Sequence, residues 1–231
     1  KNSDIPLIML TEDEEDVSIQ EKALRLGAHD VLSKPVSAVL FQARVFNALK
    51  LAKAQSLLKD QTLLLEDEVR NATATFKESE QEALQFLGIS AQYKEHKAGT
   101  HTQRIAHYSK VLAKAAGLSE KIQDIVFYAS QFYDLGKVGI AEEILLKPGK
   151  LDKDELEVMK MHSRIGFDIL KYAQSEYLKA GAVISYSHHE KYDGSGYPIG
   201  LIGETIPIPG RIVAIADVFD ALTHTRAYKE A

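Results

Sequence analysis

Residues 119–137, SEKIQDIVFYASQFYDLGK, decide the fold class of the larger part of the chain. Ser119 follows Gly117-Leu118 and is suited to cap the helix that the next residues predict. Near the other end of the stretch, Asp134 follows a run rich in Phe and Tyr. An apolar helix is a costly place for a carboxylate unless the group is paired or bound to a metal. The stretch therefore predicts a helix that carries a functional acid.

The same pattern of amphipathic helices with short joins continues from Gly88 to the end of the chain. Pro148-Gly149 marks a loop, and Asp152 with Glu155 has the spacing of a capping box before the next apolar run. Strand signals are few. We therefore predict a mainly α fold for this region, a bundle of about five to seven helices with one Gly- and Pro-rich loop over residues 192–210.

A long helix is predicted upstream, because residues 38–86 contain neither Pro nor Gly. A narrow seam with alternating spacing of three and four comprises Ala48, Leu51, Gln55, Leu58, Thr62, Leu65, Val69, Ala72, Phe76, Ser79, Ala83 and Phe86. Such a seam is typical of a parallel coiled coil, so it predicts a homodimer. The alternative is a helix that lies along its own domain, because the seam is weak at Gln55, Thr62 and Ser79.

The sequence of the N-terminal region predicts a strand, a helix and a second strand. Residues 5–11 form a short apolar run typical of a buried parallel strand. Residues 17–26 are amphipathic and are closed by Gly27, and a second short strand is predicted around Val31-Leu32.

This order resembles the last third of a response-regulator receiver domain, with Thr11, Lys34 and Pro35 at matching positions. The earlier strands, which in that family hold the phosphate-accepting Asp, are not in this sequence. The resemblance implies a partial receiver that cannot act as a phosphorylation switch, and the start at Lys1 rather than Met favours truncation. An unrelated βαβ piece is the alternative.

Composition narrows the possible partners and cofactors. A formal net charge of -5 gives no basic field for a polymeric nucleic acid. The chain has no cysteine, so any metal must bind imidazole and carboxylate groups. No apolar run approaches the roughly 20 residues that span a bilayer, so we expect no membrane association and a cytoplasmic location.

Histidines and aspartates in recurring contexts are the candidate metal ligands: His101, Asp134, His162, His188, His189 and Asp217. Imidazole with carboxylate, and without sulfur, suits iron, manganese or zinc. A single such histidine is more often an ordinary core or surface residue. The ordered series is what makes these six candidates.

Several motifs appear in a fixed order: DLGK at 134–137, ILLKPG at 144–149, HHE at 188–190, DGSGYP at 193–198 and DVFDAL at 217–222, followed by Arg226 and Tyr228-Lys229. With these motifs, the chain from about residue 90 onward resembles the HD-GYP family of cyclic di-GMP phosphodiesterases. The predicted architecture is thus a receiver-like α/β segment at 1–37, a coiled-coil helix at 38–88 and an HD-type helical bundle at 89–231.

The resemblance implies two divalent transition metals per chain, with iron preferred and manganese or zinc as alternatives. One metal would bind His101, Asp134 and Asp217, and the other would bind Asp134, His162, His188 and His189. Asp134 would bridge the pair.

The resemblance also implies an activity, the hydrolysis of cyclic di-GMP to linear pGpG and GMP through a metal-bridging hydroxide. Asp134 and Lys137 would be catalytic, and Lys137, Arg226 and Lys229 would hold the substrate phosphates. The alternative for the three cations is an ordinary solvated charge. The segment with Gly196, Tyr197 and Pro198 would dock diguanylate cyclase (GGDEF) domains, with plain loop packing as the alternative.

Tyr133 is a departure from the family, because it stands where the family has the His of its His-Asp pair. A neutral phenol, with a reference pKa near 10, is a poor metal ligand. A metal-binding but catalytically weak or silent signalling module therefore stays open. A phosphohydrolase for another nucleotide is disfavoured by the complete motifs at 147–149 and 193–198.

Overall fold

The computed structural model describes residues 5–12, 17–91 and 100–224. These residues are mainly helical and include two short strands, which confirms the predicted fold class. The chain divides into two compact units, Lys1–Phe76 and Lys77–Ala231. No helix in the described ranges is both long enough and apolar enough to cross a membrane.

The first unit has the predicted strand, helix, strand order: β1 (Ile8–Thr11), α1 (Val17–Arg25) and β2 (Asp30–Ser33). The two strands pair in parallel, with Ile8 opposite Asp30. The predicted burial of β1 is wrong, since Met9 and Leu10 are 38% and 45% exposed. A parallel strand is buried where helices cover both faces of its sheet. Here α1 packs on β2 and buries Ala23 and Leu32, and the middle of β1 stays accessible.

Helix α2 runs from Ala38 to Ala91, as the absence of Pro and Gly predicted. It continues through Gly88, where the sequence had suggested an end. Gly88 is buried, and a Cβ there would lie 2.9 Å from Gln131 Cβ, so the glycine permits close packing at this turn. Leu84, one turn earlier, is also buried and packs with Phe132 and Leu170 in a core of the second unit. The last turns of α2 thus belong to the packed bundle.

The second unit contains six α-helices in its described residues after α2. They are α3 (Thr100–Ala115), α4 (Glu120–Ala129), α5 (Glu142–Leu145), α6 (Lys153–Leu170), α7 (Glu176–Ser187) and α8 (Ile208–Thr223). Short 3₁₀ turns cover Ser130–Phe132, Leu135–Gly139 and Gly203–Thr205. The number falls within the predicted five to seven. Helix α3 packs on α4 and α8, and α6 packs on α7 and on the 3₁₀ turn at 135–139.

Two helices begin where the sequence predicted. Ser119 is at the N-cap position of α4, although its side chain makes no capping hydrogen bond. Asp152 and Glu155 form the predicted capping box at the start of α6, with both reciprocal bonds at 2.9 Å. This box fixes the N-terminus of the helix that carries His162.

An apolar core fills the space between α3, α4, α7 and α8. Its fully buried members are Ile105, Ala129, Tyr133, Ile184, Val213 and Ala216. Burying one large aliphatic side chain contributes about 1.5–3 kcal/mol, so this core holds the four helices in fixed relative positions. The candidate site lies beside it, because Tyr133 belongs to the core and Asp134 follows directly.

Candidate metal centre

Asp134 lies between the 3₁₀ turns Ser130–Phe132 and Leu135–Gly139, and not inside a helix as predicted. Its φ of -101° and ψ of 8° fall in the sparsely populated bridge region, where many active-site residues lie. The second turn packs directly on α6. A Cβ at Gly136 would lie 1.9 Å from the carbonyl oxygen of His162, so only glycine permits this approach. The approach brings Asp134 next to His162.

Four predicted ligands come together: Asp134, His162, His188 and His189 each offer one ligand atom, and these atoms lie within 4.8 Å of one another. We call these four residues the histidine cluster. Asp134 Oδ1 lies 3.4 Å from His162 Nε2 and 3.8 Å from His188 Nε2. Among the described residues, no other group of three or more His, Asp or Glu side chains brings its ligand atoms this close together.

Backbone carbonyls fix the orientation of two of the rings. His162 Nδ1 lies 2.7 Å from the Met159 carbonyl oxygen, and His188 Nδ1 lies 3.0 Å from that of Ser185. A carbonyl oxygen only accepts, so each Nδ1 carries the proton and each neutral ring presents an Nε2 lone pair.

The two Nε2 atoms lie 3.3 Å apart. Two lone pairs at this distance repel each other unless a cation or proton lies between them. Metal-binding histidines commonly donate their other ring N–H to a carbonyl or carboxylate in the same way. The donor set of the histidine cluster therefore fits a divalent metal.

The protonation states also suit metal binding. Burial lowers the pKa of His188 to about 4. Burial, with the nearby His188 and His162, lowers the pKa of His189 to about 2. Burial would raise the pKa of Asp134, but Lys137, His162 and His188 outweigh it and hold that pKa far below its ordinary value. At neutral pH the site thus offers a carboxylate and neutral imidazoles, the forms that bind metals.

Lys137, the predicted catalytic lysine, lies one 3₁₀ turn after Asp134. Its Nζ is 2.7 Å from Asp134 Oδ2, and its side chain is only 18% exposed. The two oxygens of Asp134 therefore face different groups, since Oδ1 points at the histidine rings and Oδ2 at the lysine.

His101 and Asp217, the other predicted ligands, lie close to each other but do not join the histidine cluster. His101 Nε2 is 3.8 Å from Asp217 Oδ1 and only 2.8 Å from the hydroxyl of Tyr133. On its other side, His101 Nδ1 lies 2.6 Å from Asp220 Oδ2. Arg104 donates to the same carboxylate at 2.6 and 3.0 Å.

We call Tyr133, His101, Asp220 and Arg104 the tyrosine network. Burial would raise the pKa of Asp220, but its bonds with Arg104 and His101 outweigh burial and lower it. Arg104 and Asp220 were not among the site residues predicted from the sequence. Each lies three residues after a predicted ligand on the same helix, and that spacing puts the two side chains on one face. The spacing was the signal that could have found them.

Glu190 was also missed, although it directly follows the ligand pair. It is 5% exposed, and its carboxylate accepts from the backbone N–H groups of Ile199 at 2.8 Å, Gly200 at 3.0 Å and Leu201 at 2.9 Å. One buried carboxylate thus holds the end of the Gly- and Pro-rich loop against the cluster.

Tyr197 departs from its predicted place at an apolar loop tip. Its ring stacks on His189, with 4.6 Å between the ring centroids. A Cβ at Gly196 would lie 2.5 Å from Glu190 Cα, so the glycine permits this close approach. Pro198 is exposed, in agreement with the predicted tip. Arg226 and Lys229, the other predicted phosphate ligands, lie outside the described residues.

Comparisons with known proteins identify the family of this chain. Residues 89–231 match the HD domain family. The chain is 42% identical over 228 residues to the cyclic di-GMP phosphodiesterase response regulator RpfG of Xanthomonas campestris pv. campestris (strain 8004), covering 99% of this chain and 60% of that protein.

Two further relatives are a cyclic di-GMP phosphodiesterase of Thermotoga maritima and a 3'3'-cGAMP-specific phosphodiesterase 2 of Vibrio cholerae serotype O1. The Thermotoga protein is 38% identical over 222 residues, which cover 93% of this chain and 60% of that protein. The Vibrio protein is 42% identical over 160 residues, or 69% of this chain and 31% of that protein. The chain thus spans about 60% of the length of the first two relatives. The resemblance drawn from the motifs is confirmed, and the chain belongs to the HD domain family.

Proposed function

We propose that this chain is a metal-dependent phosphodiesterase that hydrolyses cyclic di-GMP to linear pGpG and GMP. The observation that carries the proposal is the histidine cluster, a buried carboxylate with converging imidazoles. The relatives from Xanthomonas and Thermotoga, which bear the name cyclic di-GMP phosphodiesterase, support the choice of substrate.

The chemistry explains why such a site suits this reaction. A phosphodiester is anionic and repels hydroxide, so hydrolysis needs both charge neutralisation and a nucleophile that exists at neutral pH. A divalent metal supplies both, because it lowers the pKa of a bound water and binds phosphoryl oxygens. Asp134, His162, His188 and His189 would hold the metal, and iron, manganese and zinc all suit these donors.

Lys137 is the proposed cation for the substrate phosphate. Its ammonium group is mostly buried and lies beside the carboxylate of Asp134. A fixed cation at this position would stabilise charge that develops on the phosphoryl oxygens during attack. Arg226 and Lys229 are proposed to hold further phosphate oxygens, on the strength of the motif resemblance alone.

The test is a hydrolysis assay with purified protein loaded in turn with iron, manganese or zinc. Cyclic di-GMP and 3'3'-cGAMP are compared, because the relatives include proteins named for each of these substrates. We expect faster turnover of cyclic di-GMP, with pGpG detected by chromatography before GMP. Preference for cGAMP would overturn the substrate, and metal-loaded protein that cleaves neither would overturn the activity.

A catalytically silent, metal-binding signalling module is the second candidate. The bond between the Tyr133 hydroxyl and His101 Nε2 favours it, because it occupies a nitrogen that the active family members are expected to use for metal. The two candidates separate in the same assay. A silent module retains metal and binds cyclic di-GMP without turnover.

We also propose a homodimer through the seam of α2. The proposal is supported by exposure of the seam leucines Leu51, Leu58 and Leu65, which are 54%, 63% and 59% exposed. Leu65→Glu should dissociate the dimer, whereas the neighbouring Leu64, 66% exposed and off the seam, provides a matched Leu64→Glu control. Light scattering of the full chain well above micromolar concentration decides this, and a monomeric wild type would reject it.

Docking of GGDEF domains on Gly196, Tyr197 and Pro198 is a further proposal. It is supported by the exposure of Pro198 and of the adjacent Ile199, which is 55% exposed. Ile199→Asp should abolish binding of a purified GGDEF domain in calorimetry while the metal content stays unchanged. Unaltered binding would count against this surface.

A further inference from the structure

The tyrosine network occupies the nitrogen that a second metal would need from His101. Asp220 accepts only, so His101 Nδ1 carries a proton, and in the neutral ring Nε2 presents the lone pair. The Tyr133 hydroxyl lies 2.8 Å from that nitrogen and donates to it. If the ring were doubly protonated, Nε2 would have no lone pair for a metal at all.

Tyr133 is held firmly in this position. Its side chain is 1% exposed and packs in the core with Ile105 and Ile184. Its ring also lies edge-on to His188, with 5.2 Å between centroids. The hydroxyl therefore cannot turn away from His101 without a rearrangement of buried side chains.

Asp134 is the second ligand that a two-metal centre would need, as the bridge. A carboxylate that bridges two metals commonly offers one oxygen to each. Oδ1 faces the histidine rings, whereas Oδ2 lies 2.7 Å from Lys137 Nζ. The ammonium group both engages this oxygen and repels a second cation beside it.

Asp217 is the third ligand of that position, with Oδ1 3.8 Å from His101 Nε2. If His101 Nε2 and Asp134 Oδ2 are both occupied, Asp217 provides a single protein ligand at this position. One ligand is too few for tight binding of a transition metal. The phenol of Tyr133 and the ammonium group of Lys137 thus each occupy a ligand atom that a second metal would need at this position.

We propose that the chain binds one transition metal, in the histidine cluster, and that Tyr133 and Lys137 keep the adjacent His101–Asp217 position closed to a second. Lys137 then supplies, as a fixed charge, part of the neutralisation that a second metal would give. This inference rests on the proposed metal site and revises the count of two that the motif resemblance implied.

The experiment counts zinc. The full chain is stripped with a chelator, titrated with Zn²⁺ in a calorimeter, and analysed for zinc after gel filtration. We expect one zinc per wild-type chain. Tyr133→Phe keeps the ring but removes the donor, and Lys137→Ala removes the ammonium group, so the double variant should bind two zinc ions per chain. Each single variant still has one ligand atom occupied and should bind the second zinc more weakly than the double variant does. Tyr133→His adds an imidazole and should bind the second zinc more tightly than Tyr133→Phe.

Tyr177→Phe is the matched control. Tyr177 is also buried, at 4% exposure, and its hydroxyl accepts a hydrogen bond from Gln81 at 3.0 Å. Its zinc count should stay at one. Circular dichroism verifies that each variant is folded.

Each outcome has a separate meaning. Two zinc ions on wild type overturn this inference and leave the proposed function standing, whereas none overturns both. A count below one in Tyr133→Phe would show that the phenol is itself a ligand. A count of one in the double variant Tyr133→Phe/Lys137→Ala would show that these residues do not close the position.

Discussion

The histidine cluster and the tyrosine network both contain a carboxylate and imidazole. They differ in the groups that bind these side chains. In the histidine cluster the Nδ1 atoms of His162 and His188 are bound by backbone carbonyls, and their Nε2 lone pairs converge. In the tyrosine network every named group has a complementary donor or acceptor within the protein. The histidine cluster is thus a converging donor set that suits a cation, whereas the polar groups of the tyrosine network bond to one another.

This difference shows that residue identity alone does not define a metal site. Whether a histidine offers its Nε2 lone pair to a metal depends on two things. One is the partner that Nδ1 binds, and the other is the group that faces Nε2. Substitutions that act on one region should therefore leave the other intact, and this separation can be tested.

Loss of Asp134 should have the largest effect. In Asp134→Ala the cluster loses its only carboxylate, so we expect metal affinity to fall by more than about 100-fold, since changes outside the ligand shell already cost about 10–100-fold. Elemental analysis and cyclic di-GMP turnover measure the result. Asp168→Ala, on the exposed face of α6, is the control and should behave as wild type. Full metal retention in Asp134→Ala would remove Asp134 from the ligand set.

Acid should destabilise the metal-free protein through the histidine cluster. The pKa of His188 falls from 6.5 to about 4 on folding, so the unfolded chain binds the extra proton first as pH falls. Stability is therefore complete above pH 6.5 and is lost between pH 6.5 and 4, by about 3 kcal/mol for this group.

Urea unfolding of metal-free protein at several pH values measures this loss. His188→Gln should flatten the dependence, and bound zinc should shift it to lower pH because the metal competes with the proton. A stability that rises as the pH falls from 6.5 to 4 would contradict the assignment.

A substitution in the tyrosine network should lower the stability of the fold and leave the metal content unchanged. Asp220→Asn keeps the side-chain shape but removes the charge that accepts from His101 and Arg104, so unfolding free energy should fall by about 1–3 kcal/mol. Zinc bound by the histidine cluster should be unchanged. A loss of zinc in Asp220→Asn would mean that the two regions are not separable.

Much of this arrangement follows from the sequence, and the remainder depends on packing. Capping signals placed α4 and α6, and the motif series identified the four residues of the cluster. The position of Asp134 between two 3₁₀ turns did not follow, because it depends on the approach of Gly136 to α6. A local sequence pattern also could not show that the Tyr133 hydroxyl binds His101, which lies thirty-two residues away in α3.

The exposure of β1 was missed for a related reason. An apolar run shows that a strand is suited to burial. Whether the strand is in fact buried depends on which helices cover its sheet. Likewise, Arg104 and Asp220 appeared in the sequence as ordinary charges. Their role became visible only when α3 and α8 were seen to pack together.

The smallest predicted effect concerns Glu190, which acts on the histidine cluster from outside. Its carboxylate accepts three backbone N–H bonds from the loop that carries Tyr197, and Tyr197 stacks on His189. Glu190→Gln has one acceptor oxygen in place of two and no charge, so the loop should loosen and His189 should lose its stacking partner. We expect about tenfold weaker zinc binding, the size of effect seen for groups that orient a ligand. Hydrogen exchange at Ile199–Leu201 should accelerate in parallel.

Glu204→Gln is the matched control, since Glu204 lies further along the same chain segment with an 80% exposed side chain and a single surface ion pair. Its zinc affinity and exchange rates should match wild type. If Glu190→Gln speeds exchange at 199–201 but leaves zinc affinity unchanged, the loop does not orient His189. The His162 and His188 rings would then be oriented by backbone carbonyls and Asp134 by Lys137, with no contribution from the loop. The contrast with the tyrosine network, whose side chains bond to one another, would be sharper still.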